Sequence, residues 1–292
     1  MRYRTLGRTG LRVSEVGCGG APLGIPNYNE IWDPWAPDTI ATATTALHRA
    51  IDLGYNYFDT APSYGDGRSE ELMGAALTGK RAQVYLASKT EWQGKSRDWV
   101  IARAESSLRR LQTDYLDVLQ LHGGDYLPED VDYILHGGPL EAYQQLKQAG
   151  TIRFIGITAE EPVTLRPFLD TGLFDVIQIR YNIIYQNAWH NILPLARQRN
   201  LGVVLMRPLS SGIFQKLMRA ARPDIDRYLD LHALALNYVL SDPNISTAIV
   251  GMRRIAEVER NNAVSDAVDQ RLDLNWLHER QVPAPDREAP HA

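Results

Sequence analysis

Asp59, Tyr64, Lys89 and His122 each stand at or just past the end of a short apolar run. Tyr57-Phe58-Asp59 closes one run, and Tyr64 follows in Thr60-Ala61-Pro62-Ser63-Tyr64-Gly65. Val84-Tyr85-Leu86-Ala87-Ser88-Lys89 closes the next, and Val118-Leu119-Gln120-Leu121-His122 the one after. Asp59 and Lys89 are 30 residues apart and Lys89 and His122 are 33 apart, roughly one strand-plus-helix unit each time. Taken singly, these side chains have ordinary roles as a helix cap, a loop aromatic, a surface lysine and a core histidine. Their recurrence at consecutive strand ends sets them apart, because strand ends of a parallel barrel share one mouth. Together, a carboxylate, a phenol, an ammonium and an imidazole can transfer protons without a metal.

The elements that must position them read as an alternation. Val16–Gly20, Tyr57–Asp59, Val84–Lys89, Val118–His122, Phe154–Thr158, Val176–Arg180, Val203–Arg207 and Thr247–Gly251 have the apolar character of short buried strands. Between them lie amphipathic stretches such as Thr39–Leu53, Ser96–Leu111, Leu140–Gln148, Asn187–Arg199 and Asp230–Leu240. Val100, Ile101, Ala104, Leu108 and Leu111 fall on one helical face. A spacing of 33 residues per unit from Gly20 to Gly251 predicts an α/β fold, a (β/α)8 TIM barrel. Ahead of it, Tyr3–Leu6 and Leu11–Ser14 flank Gly7-Arg8-Thr9-Gly10, which predicts a β-hairpin closing the barrel floor. Residues 1–281 form a single domain on this reading, and 282–292, with three prolines, a disordered tail. Two insertions, residues 26–37 and 123–138, follow strands that end at the mouth and are candidate substrate walls.

Composition sets outer limits. A net charge of −4 argues against general nucleic-acid or membrane-surface binding, for which a basic face is expected. No apolar run reaches bilayer-spanning length, and the N-terminus has charges with no apolar stretch behind them. Cys18 is the one cysteine, so an internal disulfide is impossible and a reducing cytoplasm is expected. The seven histidines show no metal-ligand spacing, so no metal is expected.

Several motifs carry a resemblance to the aldo-keto reductase superfamily. They are Phe58-Asp59-Thr60-Ala61-Pro62-Ser63-Tyr64-Gly65, Ser88-Lys89, Leu121-His122, Gln178-Ile179-Arg180-Tyr181-Asn182 and Arg207-Pro208-Leu209-Ser210-Ser211-Gly212. The match runs in order from Arg4 to about Ala263. It implies a (β/α)8 barrel that uses a nicotinamide cofactor to reduce carbonyls or oxidise alcohols. Hydride addition to a carbonyl leaves an alkoxide that must be protonated. A tyrosine of ordinary pKa near ~10 serves only if its phenolate is stabilised. Tyr64 is therefore the expected general acid/base, Lys89 the cation that lowers its pKa, and Asp59 the anchor of Lys89. His122 is expected to donate to the carbonyl oxygen and orient it.

Gly17-Cys18-Gly19-Gly20-Ala21-Pro22 has Pro22 where a dinucleotide fingerprint needs its third glycine. The resemblance instead implies a cofactor extended across the mouth. Its contacts are expected from Gly19, Gly20, Asp59, Thr158, Gln178, Met206, Pro208, Leu209, Ser211, Gly212, Gly251, Arg253, Glu257 and Asn261. Thr158 and Gln178 hold the carboxamide, and Met206 packs where relatives stack a tyrosine on the nicotinamide. Ala159 replaces an amide-bearing residue usual in relatives. Arg253, with Arg254, favours NADP(H) through its 2′-phosphate. Glu257 would repel that phosphate, which leaves NAD(H) as the alternative.

Trp32, Trp35 and Trp92, with Tyr28, are candidate walls for a small-molecule carbonyl or alcohol: an aldehyde, a ketone or an aldose. The Gly-Ala-Pro-Leu-Gly run and the Val-Gly-Met ending resemble branches that include sugar dehydrogenases. Other relatives are cofactor-binding regulatory subunits with little turnover, a second reading that turnover on simple aldehydes separates from the first. A barrel isomerase or lyase without nicotinamide is a third, which cofactor binding separates from both.

Overall fold

A computed structural model describes residues 1–279. The tail expected from residue 282 onward lies outside the described residues. Two hairpin strands, β1 (Tyr3–Thr5) and β2 (Arg12–Ser14), pair antiparallel, with Tyr3 opposite Ser14. Eight more strands form a closed parallel barrel: β3 (Val16–Gly19), β4 (Tyr57–Asp59), β5 (Tyr85–Thr90), β6 (Leu116–Leu121), β7 (Ile152–Ala159), β8 (Val176–Arg180), β9 (Gly202–Met206) and β10 (Thr247–Gly251). They run in chain order, and β10 closes the ring against both β9 and β3. All eight strands read from the sequence are present, with ends shifted by at most about two residues. The α/β fold is thus the expected (β/α)8 TIM barrel.

Strands buried on both faces need apolar residues facing both ways, which is why β9 reads Gly-Val-Val-Leu-Met. Alternation decides what enters the lumen. Tyr57, Ala87, Val118, Val176, Val204 and Ile249 pack together as one apolar layer, and Leu6, Leu11 and Val13 of the hairpin segment pack against it. The N-terminal hairpin therefore closes the barrel floor. Arg4 fastens it, donating to the carbonyls of Asp242 (2.8 Å), Ile245 (2.9 Å) and Leu240, and pairing with Glu15.

Two residues further along four of these strands, the same lumen side turns polar. Tyr57 is succeeded by Asp59, Ala87 by Lys89, Val118 by Gln120 and Val176 by Gln178, all four buried. Gly156 in β7 leaves room for this layer, because a Cβ there would lie 2.7 Å from the Gln120 side chain. The apolar floor and the polar layer are thus written into the period-two pattern of the strands.

Helices cover the barrel's outside. Pro37–Asp52 buries Ala43, Ala46, Leu47, Ala50 and Ile51. Arg97–Leu111 starts at Ser96, whose hydroxyl accepts from the Trp99 N–H at 3.3 Å, satisfying one amide that has no intrahelical partner. The helix Arg68–Leu77 lies between β4 and β5. Its polar opening residues Ser69 and Glu70 are buried, so its inward face does not read as apolar. Among the described residues, no helix is long and apolar enough to cross a membrane.

Candidate active site

At the centre of the polar layer, the Lys89 ammonium donates to Asp59 Oδ1 at 2.6 Å and to the Thr60 carbonyl at 2.8 Å. Gln120 Nε2 donates to the other Asp59 oxygen at 3.1 Å and to Gln178 Oε1 at 2.8 Å. Each of these four side chains is at most 1% exposed, so the ion pair is fully desolvated. Such a pair survives only when its remaining donors and acceptors are matched, and the two glutamines supply that match. Burial alone would discharge the lysine, but Asp59, and then Tyr64, more than reverse this and raise its pKa. Burial raises the Asp59 carboxyl as well, opposed by Lys89 and the glutamine hydrogen bonds. The geometry supports a charged lysine bound to a carboxylate.

Tyr64 sits in a tight loop after β4. Gly65 has φ +68°, and a Cβ there would come within 1.9 Å of the Gly24 carbonyl oxygen, so the position requires glycine. The loop brings the Tyr64 ring centroid to 5.0 Å from Lys89 Nζ. Burial raises the phenol's pKa and Lys89 partly offsets the rise, so the net direction is up. Lys89 acts on the phenol in the expected, lowering sense, and desolvation outweighs it. His122 packs edge-on to Tyr64, with ring centroids 5.9 Å apart. Burial, then the nearby Lys89 charge, lowers the His122 pKa to about 4, leaving a neutral imidazole near pH ~7. Ser63 Oγ lies 3.3 Å from its Nδ1; with the serine donating, the proton resides on Nε2.

These residues open into a cavity of roughly 1120 Å³, larger than the ~300–1,000 Å³ of a typical drug-sized site. Asp59, Tyr64, Lys89 and His122 line it together. So do Gly19, Gly20, Thr158, Gln178, Met206, Pro208, Leu209, Ser211, Gly212, Gly251, Arg253 and Glu257. Asn261 is not in the lining; it lies behind His232, which does line the cavity and shares a 2.7 Å hydrogen bond with Asn261 Oδ1. The segment Arg207–Gly212 is left-handed at Arg207, Ser210 and Ser211 (φ 51–54°), a cost of the kind stored at ligand-binding loops. Thr158, in the lining, has a structural role as well. Its hydroxyl accepts from the Gly123 N–H and donates to the Gly123 carbonyl, both at 2.9 Å, so it braces the segment after His122. Gln178 remains the amide facing the cavity.

Arg253, in the same lining, is 6% exposed, lies 4.7 Å over the Trp32 ring, and has a buried Nη1 with no hydrogen-bond partner. A buried, unsatisfied guanidinium donor is suited to an anionic group. With the cavity's volume and the strained loop, these residues fit the phosphates of a dinucleotide. Glu257 does not face the cavity as a free charge. Its Oε2 accepts from the backbone N–H of Arg253 (2.6 Å) and Arg254 (3.2 Å), capping the helix Ile255–Asp266.

The three tryptophans do not form a substrate wall. Trp32 is buried and donates to the Leu23 carbonyl at 3.1 Å, Trp92 is buried and stacks on Tyr126 at 5.6 Å, and Trp35 is exposed, outside the lining. The first two are drawn inward because large aromatic surfaces gain most from burial. The cavity lining instead includes Tyr28, Asn29, Gly123, Glu160 and Arg207. The Glu160 N–H donates to the Gly124 carbonyl (2.7 Å), and its carboxylate pairs with Arg207 at 2.7 Å. Gln120 and Ser63 also escaped the sequence reading. Gln120 could have been found, being two residues before His122 on the same face of its strand. Cys18 is buried, with its thiol pKa raised by burial. Among the described residues, no group of three or more His, Cys, Asp or Glu is placed to hold a metal.

Residues 17–227 match the model of the aldo/keto reductase family. The chain is 32% identical to L-galactose dehydrogenase of Arabidopsis thaliana, over 96% of this chain and 93% of that protein. Among solved structures, it is similar to the holo form of an aldo-keto reductase from Bacillus halodurans, with TM-score 0.79, 29% identity, and coverage of 96% of this chain and 95% of that one. An aldo/keto reductase from Klebsiella pneumoniae, in complex with NADP and acetate, gives TM-score 0.76 and 26% identity over 99% of this chain and 98% of that one.

Proposed function

This chain belongs to the aldo/keto reductase family and is a nicotinamide-dependent oxidoreductase, and we propose that it interconverts a carbonyl and an alcohol at the site built on Tyr64, Lys89, Asp59 and His122. The observation that carries this reading is the buried Lys89–Asp59 pair at 2.6 Å, with its ammonium 5.0 Å from the Tyr64 ring and His122 edge-on to that ring. When bound, the nicotinamide supplies hydride to a carbonyl carbon or accepts it from a carbinol carbon. Tyr64 gives its phenolic proton to the oxygen as negative charge builds there, and takes it back in the reverse direction. Lys89 stabilises the phenolate this leaves, and Asp59 with Gln120 keeps Lys89 charged and fixed. Neutral His122, with its proton on Nε2, donates a hydrogen bond to the same oxygen.

NADP(H) is the favoured cofactor, supported by the unpartnered Nη1 of Arg253 and by the NADP complex of the Klebsiella relative. Gln178, Met206, the Arg207–Gly212 loop and Arg253 would hold it. For the substrate, an aldose or similar polyhydroxylated carbonyl is supported by two observations. Asn29, Glu160 and Arg207 offer hydroxyl-binding groups where an aromatic wall was expected, and a 32%-identical relative is an L-galactose dehydrogenase. The test follows nicotinamide absorbance with NADPH and aryl aldehydes, and with NAD(P)⁺ and a panel of aldoses. Turnover on aldoses with KM well below that for aryl aldehydes is expected. Tight cofactor binding without turnover on any carbonyl or alcohol would instead support a regulatory subunit.

A further inference from the structure

The segment that carries Glu30 is a closed loop. The Asn27 N–H donates to the Trp32 carbonyl at 2.9 Å, and Asn27 Oδ1 accepts from the Trp32 N–H at 3.1 Å. Asn27 and Asn29 turn the chain with φ of 53° and 64°. The loop holds Glu30 against Arg253, which lines the cavity, and its neighbour Arg254. Glu30 Oε1 lies 2.8 Å from Arg253 Nη2 and 2.6 Å from Arg254 Nη1. Arg253 Nη2 also donates to the Tyr28 carbonyl at 3.0 Å, so the loop backbone is part of the same clasp. Beneath, the Trp32 ring supports the guanidinium of Arg253. Arg254, then burial and the two arginine charges, net to hold Glu30 below the usual carboxylate range, so it is ionised at neutral pH.

The charge count is informative. Two guanidinium groups face two carboxylates, Glu30 and Glu257, within one hydrogen-bonded group. Glu257 serves the helix start and its backbone amides. Glu30 serves no helix end and is bound only through the arginines. It is held where an anionic ligand of those arginines would sit.

We propose that Glu30 is a tethered anion competing for the Arg253–Arg254 pair, and that it sets the preference between NADP(H) and NAD(H). This rests on the nicotinamide-dependent reading of the cavity. A 2′-phosphorylated cofactor must displace the Glu30 carboxylate to reach both guanidinium groups. A cofactor with a free 2′-hydroxyl has no such competitor, and Glu30 stays on its arginines. An intramolecular competitor lowers apparent affinity by the fraction of time it occupies the site, and removing its charge restores that fraction. Replacing Glu30 by glutamine keeps the shape of the loop, whose closure depends on Asn27 and Trp32 rather than on Glu30.

The test compares the wild type with Glu30→Gln by tryptophan fluorescence, using NADPH, NADH and adenosine 2′,5′-bisphosphate as probes. Trp32, under Arg253, is a built-in reporter. Glu30→Gln is expected to tighten NADPH and the bisphosphate by about fivefold to tenfold and to leave NADH within about twofold. Equal changes for NADPH and NADH, or no change for either, would overturn the role of Glu30 while leaving the oxidoreductase reading intact. Failure of both dinucleotides to bind either protein would overturn the oxidoreductase reading, and this inference with it. Weaker NADPH binding in Glu30→Gln would assign Glu30 to holding the loop in place, which also overturns the competition.

Discussion

Each side chain proposed to act in catalysis works against its own burial. Desolvation raises the phenol of Tyr64 and would discharge Lys89, yet the carboxylate of Asp59 keeps the lysine charged and so limits the rise at Tyr64. His122 shows the same force with a sign that can be measured. Its pKa falls from an ordinary 6.5 to about 4 in the folded protein. Between those values the unfolded chain binds a proton that the folded chain does not, so stability declines as pH drops through that window. The shift corresponds to about 3 kcal/mol, fully present above the ordinary value. Urea unfolding of wild type and His122→Asn at about pH 7 and about pH 4 should show the wild type losing about 3 kcal/mol more than the variant across that interval. Equal losses would mean that His122 is not held neutral by its surroundings.

At the scale of elements, the site depends on contacts between strand ends and the helices behind them. Glu70, buried in the helix Arg68–Leu77, accepts from Ser88 Oγ at 2.6 Å and pairs with Arg110 at 2.6 Å, fixing the residue next to Lys89 against two helices. Glu70→Ala leaves a largely buried guanidinium and a buried hydroxyl without their acceptor, so a loss of about 3 kcal/mol is expected. The melting temperature should then fall by about 6–12 °C. A fall of under about 2 °C would show that Arg110 and Ser88 find other partners. This helix also shows where sequence legibility ends. The eight strands could be read because parallel strands are apolar on both faces, and the four catalytic candidates because they end those strands. Ser69 and Glu70 read as solvent-facing because their partners, Thr60, Ser88 and Arg110, lie in other elements. Trp32 and Trp92 misled in the opposite way: aromatics near a mouth look like a wall until the packing beneath them is seen.

Over the whole molecule, the barrel separates stability from chemistry along its axis. The apolar layer and the hairpin form one end, and the polar layer, the cavity and the charged clasp form the other. Leu6 is fully buried at the floor, against the layer one step below Asp59 and Lys89. Leu6→Ala should cost about 3 kcal/mol in chemical unfolding while cofactor affinity stays within about twofold. A large change in cofactor affinity would show that floor and mouth are coupled.

The most direct test of the account is a paired measurement on Tyr64→Phe: cofactor affinity by fluorescence quenching, and turnover of a carbonyl substrate by nicotinamide absorbance. Removing one hydroxyl should leave NADPH affinity within about twofold while lowering kcat by about 10²–10⁴-fold, the range for losing a general acid. Retained turnover would remove Tyr64 as the proton donor, and with it the central assignment of the site.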